Sequence, residues 1–191
     1  MPEHKQGRYR QPAEGTVFAV PIRGKWVVGL VARRRGHILL AHFFPRLWAR
    51  VPTLPDIGRL HPKDAFFISV VGALHLKDGR WKVIGGYEPW LREEWRVKEL
   101  LRDSLPRVKT LVELDDDNPS IEKSERLVPR GVDTSRMVTQ ADLLGAGACE
   151  YYLESRLGLA PPVLPMETLL TDPAPSRRGS GRARRKDPDR G

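Results

Sequence analysis

Five histidines, one cysteine and a run of three aspartates are the residues of this chain best suited to chemistry. Their spacing argues against each obvious use. No two of His4, His37, His42, His61 and His75 stand at the separation of metal ligands on one helix, and Cys149 has no cysteine partner. His37 and His42 are five apart on a stretch that reads as a strand, so they point to opposite faces. A calcium loop at Asp115-Asp116-Asp117 would need a central glycine and a glutamate near its twelfth position, where Arg126 stands. A solvated hairpin tip is the better reading. Gly145-Ala146-Gly147 resembles the start of a dinucleotide fingerprint, but Glu150 occupies its third small position and would repel a pyrophosphate. These small residues read instead as a helix start packed close to a sheet. No G-x-S-x-G or comparable nucleophile motif occurs, and a Cys149 nucleophile would need neighbours that sequence does not display. The expectation is a protein without catalytic, cofactor or metal sites.

Binding is a different matter. Arg33, Arg34 and Arg35 form a cationic cluster that reads as a tight turn ending at Gly36, and Trp48, Trp90 and Trp95 fall outside clear strands. Arginine and aromatic residues on loops are what binding hot spots are made of. These six are the candidate partner-binding residues. Core packing competes for the three tryptophans, and plain solubilisation competes for the arginines. Trp81, between strand signals, reads as core. The Arg33–Arg35 cluster and a second run from Arg177 to Lys186 raise an alternative, nucleic-acid binding by a small β-rich protein. Against it, neither cluster has an aromatic residue interleaved.

The elements that must position these residues are organised around Ala65–Tyr87, the longest apolar segment. Phe66 to Val71 reads as a strand buried on both faces. Trp81, Val83 and Ile84 begin another strand, which Gly85 and Gly86 close. Between them, Ala73–Asp78 is either a hairpin arm turning at Asp78-Gly79 or one helical turn with Gly79 as a left-handed cap. The helical turn fits better, because Leu74 and His75 would overextend a hairpin. Upstream, Val17–Ile22, Trp26–Ala32 and His37–Phe44 read as a curled antiparallel meander, with Pro21 at an edge or bulge. Pro45–Lys63 holds four prolines and reads as loop. Downstream, Trp90, Val97 and Leu101 at helical spacing predict a short amphipathic helix within Glu88–Leu105. Val108–Leu114 and Ile121–Val128 predict a hairpin, and Asp142–Leu157 contains the last helix. The expected fold is α+β and mostly antiparallel, with a meander, a central strand pair, a hairpin and a C-terminal helix. A disordered arm at residues 1–14 and a disordered basic tail at 159–191 would flank a domain at 15–158.

Asp78-Gly79-Arg80-Trp81-Lys82-Val83-Ile84-Gly85 after a buried strand and a leucine-containing turn resembles a segment of the immunity protein 26 family of bacterial polymorphic toxin systems. Glu14–Ile22 is similar to that family's opening strand, and Gly145–Glu150 with Tyr151–Leu157 to its closing helix. The resemblance implies a small protein that binds and neutralises a cognate toxin domain and performs no chemistry. Charge bears on that partner. The chain carries a formal +9, but seven basic residues against two acidic ones lie between Pro173 and Gly191, leaving a mildly basic body. Complementarity then favours a toxin that is neutral or acidic at its contact site. A single cysteine, no apolar leader and no membrane-length apolar run predict a cytoplasmic protein without a membrane partner.

Overall fold

The structure is a computed structural model that describes residues 12–97, 99–105, 108–129 and 139–161. The arm expected at 1–14 falls outside it for residues 1–11, and the tail expected from 159 falls outside it from residue 162. Three strands run as a meander: β1 (Thr16–Ile22), β2 (Lys25–Arg35) and β3 (Ile38–Trp48). They are followed by the short helix α1 (Leu54–Ile57), β4 (Phe67–Gly72), α2 (Leu74–Lys77) and β5 (Lys82–Gly86). A 3-10 turn at Arg92–Trp95 leads into β6 (Leu100–Leu105), β7 (Val108–Leu114) and β8 (Glu122–Leu127). The last elements are β9 (Thr139–Leu144) and α3 (Ala146–Arg156). The fold is α+β and mostly antiparallel, as expected. A six-stranded sheet has the order β5-β1-β2-β3-β4-β9, and a three-stranded sheet the order β6-β7-β8.

Both faces of the large sheet are covered, which is why its central strands are apolar at nearly every position. One face, with Phe18, Val20, Phe43, Phe67 and Val71, is buried beneath α2, Trp81 and the α3 residues Cys149 and Leu153. The other, with Val17, Leu30, Leu40, Phe44 and Val70, is buried beneath Trp95, Leu60, Leu100 and Val112. Trp81 is fully buried, stacked on Phe18 with ring centroids 5.4 Å apart and only 4° between planes. Its indole Nε1–H donates to Glu150 Oε1 at 2.8 Å, tying the start of β5 to α3.

Room for the Phe18 ring comes from Gly29, its neighbour across the β1–β2 ladder. A Cβ built on Gly29 would lie 2.4 Å from the Phe18 ring. Gly29→Ala is therefore expected to destabilise by about 1–3 kcal/mol through overpacking. Denaturant melts check this, and an unchanged midpoint would mean that the ring swings aside freely.

Several expectations change in detail. β4 and β5 both form, yet they are not a pair: β4 lies between β3 and β9, and β5 pairs with β1 on the other side of the meander. The intervening segment, α2 and Trp81, packs across the sheet face instead of turning back. Of the two readings for Ala73–Asp78 the helical turn is the one found, with Gly79 at φ 75°. No amphipathic helix occupies the described part of Glu88–Leu105. Trp95 is drawn into the core by the 3-10 turn, and Leu100 and Leu101 are buried in β6, which pairs with β7. The proline-rich stretch is more regular than a loop, because Pro45 lies in β3 just past the last residue bonded to β4, at a register shift against β2. Pro21 likewise lies beyond the span of β1 that β5 covers, so its missing N–H costs no ladder bond. Asp142–Leu144 belong to β9 and not to the final helix, where Ala146 and Cys149 make the close contacts while Gly145 and Gly147 face open space.

Candidate functional site

The arginine cluster is not a turn tip. The β2 register shifts between Val31 and Arg33, a bulge that inserts Ala32 and sends the Arg33 side chain inward opposite Leu40. The Arg33 side chain is only 1 % exposed, with Nε donating to Asp116 Oδ1 at 2.8 Å and Nη1 to the Ala32 carbonyl at 2.8 Å. Arg34 is half-buried and donates to the Gly36 carbonyl, leaving Arg35 as the exposed member. Arg33 is thus a structural cation, unable to steer a partner. Reversing all three arginines to glutamate would bury a carboxylate beside Asp116, so that substitution cannot spare the fold.

Asp116 belongs to the acidic run expected to be a solvated tip. It bonds Arg33 from one side and Arg92 from the other, and Arg92 also reaches Glu14 and Asp117. The β7–β8 tip is thereby clamped onto the large sheet. Only Asp115 builds the turn itself, accepting the backbone N–H groups of Asp117 and Asn118. Burial alone would raise the Asp116 carboxyl, but the Arg33 hydrogen bond and the nearby positive charges hold it below the usual carboxylate range.

His42 lies on the same face as this clamp. It is 1 % exposed, edge-on to Trp95 at 5.3 Å, and neither ring nitrogen has a hydrogen-bond partner. Burial, aided by the charge of Arg33, lowers its pKa from 6.5 to about 3. The unfolded chain therefore takes up a proton that the folded one refuses. As pH falls below about 6.5, stability should drop by up to about 1.4 kcal/mol per unit until the folded pKa is reached. His42→Leu should flatten that slope between pH 6 and 5, where Asp116 is still ionised. Urea melts across this range decide it, and an unchanged slope would assign the sensitivity to another group.

Cys149 and His75 lie on the opposite face of the sheet. Cys149 is fully buried, and burial with the Glu150 charge pushes its thiol far above the ordinary value. His75 joins α2 to α3, with Nδ1 3.2 Å from Asp78 and Nε2 3.9 Å from Glu150. Among the described residues, no group of three or more histidine, cysteine, aspartate or glutamate side chains could hold a metal ion. Nor is any helix among them long and apolar enough to cross a membrane.

The candidate tryptophans separate by depth. Trp95 is core at 1 % exposure. Trp90 is half-buried, stacked on Trp95 at 5.8 Å and lying against Gly15, where a Cβ would come within 3.0 Å of the indole. Trp48, also half-buried, packs on the second core and faces Trp26 across the β2–β3 ladder. The exposed Arg46 lays its guanidinium 3.7 Å from the Trp48 ring centroid. This arrangement holds a cation in a fixed pose at the surface. The loop expected at Pro45–Lys63 hides Arg46, whereas β3 in fact continues to Trp48 and pairs it with Trp26.

From Trp48 the chain continues as a strap to a second feature. Thr53 donates its backbone N–H and its hydroxyl to Asp56, starting α1, and Arg50 pairs with the same carboxylate. These donors hold the Asp56 pKa below its usual value, the Thr53 backbone N–H foremost. Beyond α1, Gly58 and Arg59 meet Tyr87, Glu88, Leu91 and Glu94 around a cleft of about 330 Å³. The Tyr87 hydroxyl fixes the floor, donating to the Leu60 carbonyl at 2.9 Å and accepting from the Leu60 N–H at 3.1 Å. The Tyr87 ring meets the edge of Trp95 at 5.8 Å.

Comparison with known proteins bears on this face. The model of the immunity protein 26 family matches residues 13–103, just under half of the chain. Comparisons with curated proteins and with solved structures gave no match. The matched span holds β1 to β5, the Arg92–Trp95 turn, the Arg46–Trp48 pair and every residue of the cleft; Asp116 and α3 lie beyond it. The opening-strand and Asp78–Gly85 resemblances fall inside the match, the closing-helix one outside. Over residues 13–103 the chain is similar to the immunity protein 26 family.

Proposed function

We propose that the protein neutralises a cognate toxin domain by binding it and occluding its working surface, with no chemistry of its own. The family match over residues 13–103 is the observation that carries this reading. The structure supports it with a sheet packed on both faces, whose tryptophans at the end of β3 and in the 87–95 segment are already anchored. Pre-ordered aromatic and arginine side chains lose little freedom on association. The contact face we favour runs from Arg46 and Trp48 along the strap to the 87–94 segment. Trp90 contributes to it by supporting that segment, and Trp95 by anchoring it from below. Opposite Arg46 the toxin would be neutral or acidic. A cytoplasmic location, where the protein would meet a toxin after its entry, belongs to the same reading.

The test is a growth assay with the toxin domain encoded beside this gene, expressed with and without the protein. Restored growth is expected. Arg46→Glu combined with Trp48→Ala should lose protection while the purified variant keeps the circular dichroism of the parent. If the wild-type protein gives no protection but binds a dT20 oligonucleotide with steep salt dependence, the nucleic-acid reading replaces this one.

A further inference from the structure

The cleft beside the strap has a composition suited to one kind of guest. Its floor is Tyr87, locked by both hydrogen bonds to Leu60 and by Trp95 behind it. Glu88 and Glu94 line it, both exposed and neither in an ion pair with a described residue. The wall between them is apolar, made by Pro89 and by Leu91, which is 50 % exposed. Arg59 is the only cation among the lining residues, one charge against two.

We propose that this cleft receives a single cationic side chain, a lysine or arginine presented by the toxin. The proposal takes its partner from the toxin reading above and its chemistry from the cleft itself. An apolar guest would strip water from two carboxylates and give them nothing in return. A carboxylate guest would meet Glu88 and Glu94 with only Arg59 to offset them. A lysine or arginine suits the two glutamates and the apolar wall, with Arg59 the one lining charge it has to stand clear of. Its methylene stem lies on Pro89 and Leu91, and its head reaches the two glutamates over the Tyr87 ring. Because Tyr87 is fixed before binding, the guest does not have to order it. The toxin contact would then be of mixed charge, with an acidic or neutral region at Arg46 and a basic side chain at the cleft, an arrangement that sets orientation as well as affinity.

The experiment uses the full chain and small probes, so it does not depend on having the toxin. N-acetyl-argininamide and N-acetyl-lysinamide are titrated while NMR follows the Gly58 and Arg59 amides and the Leu91 methyl groups. Saturable shifts confined to the cleft are expected. The Glu88→Gln, Glu94→Gln double variant should weaken them about tenfold, in line with the loss of two exposed charge contacts. Both glutamates are exposed and neither pairs with a described residue, so the variant should fold like the parent. The proposal is overturned if the shifts do not saturate, if N-acetyl-glutaminamide gives the same shifts, if an N-acetyl-aspartamide probe binds in preference, or if the double variant responds like the parent. Failure here would leave the growth assay free to succeed, and loss of protection there would leave these titrations standing.

Discussion

Trp81→Ala is expected to destabilise the protein by about 3–5 kcal/mol, the range for emptying a fully buried aromatic site. The indole contacts Phe18 in a stack and Phe43 and His75 edge-on, so its loss opens a void among rings that have no other way to close it. It also removes the donor that links β5 to α3. Trp81→Phe separates the two contributions. It keeps most of the ring contact and loses the hydrogen bond to Glu150, whose side chain is partly exposed, so a cost near 1 kcal/mol is expected. Equilibrium denaturant melts of both variants make the measurement. A loss below about 1 kcal/mol for the alanine variant would contradict the central role given to this residue.

Asp116→Ala should cost about 3 kcal/mol by leaving the Arg33 guanidinium buried without its carboxylate. The lower part of the range for breaking a buried pair applies, because Asp116 is 26 % exposed and water can follow the missing side chain. Asp117→Ala is the control. Its side chain is 88 % exposed and, among the described residues, pairs with Arg92 alone, so little change is expected. The Asp116 pair also has a pH signature. A carboxyl whose folded pKa is lowered contributes its full stability above the unfolded value, about pH 4, and loses it as pH falls through the folded value. Acid melts of Asp116→Ala should therefore be shallower than those of the parent below about pH 4. Equal steepness would mean that Arg33 is neutralised by another route.

What could be read from the amino-acid order, and what could not, follows from how local each cause is. Gly79 announces a left-handed turn, and the Asp115–Pro119 stretch a hairpin tip, because those signals act within a few residues. Trp81 between strand signals was legible as core for the same reason. Arg33 was not. Three consecutive arginines before a glycine read as an exposed turn, and only the bulge at Ala32, set by pairing with β3, sends the first of them inward. The counter-ion that makes this tolerable stands 83 positions away in an aspartate run that looks solvated. Trp90, Val97 and Leu101 have helical spacing by coincidence: Trp90 stacks on Trp95, while Leu101 lies in a strand beside β7. The separation of β4 from β5 depends on α2 crossing the sheet, a tertiary choice. The cleft is assembled from Gly58-Arg59 and the 87–94 segment, and neither part carries a motif of its own.

The parallel pairing of β4 with β9 has a consequence for synthesis on the ribosome. β4 ends at Gly72 and β9 begins at Thr139, so the meander exists for some time before its last neighbour does. At ordinary elongation rates that interval is roughly 3–13 s. Throughout it β4 presents an apolar strand with one row of unbonded peptide groups, the kind of edge that recruits other chains. A nascent chain would be most vulnerable to misassociation in that window. A fragment ending at residue 103, where the family match ends, would remain in that state permanently.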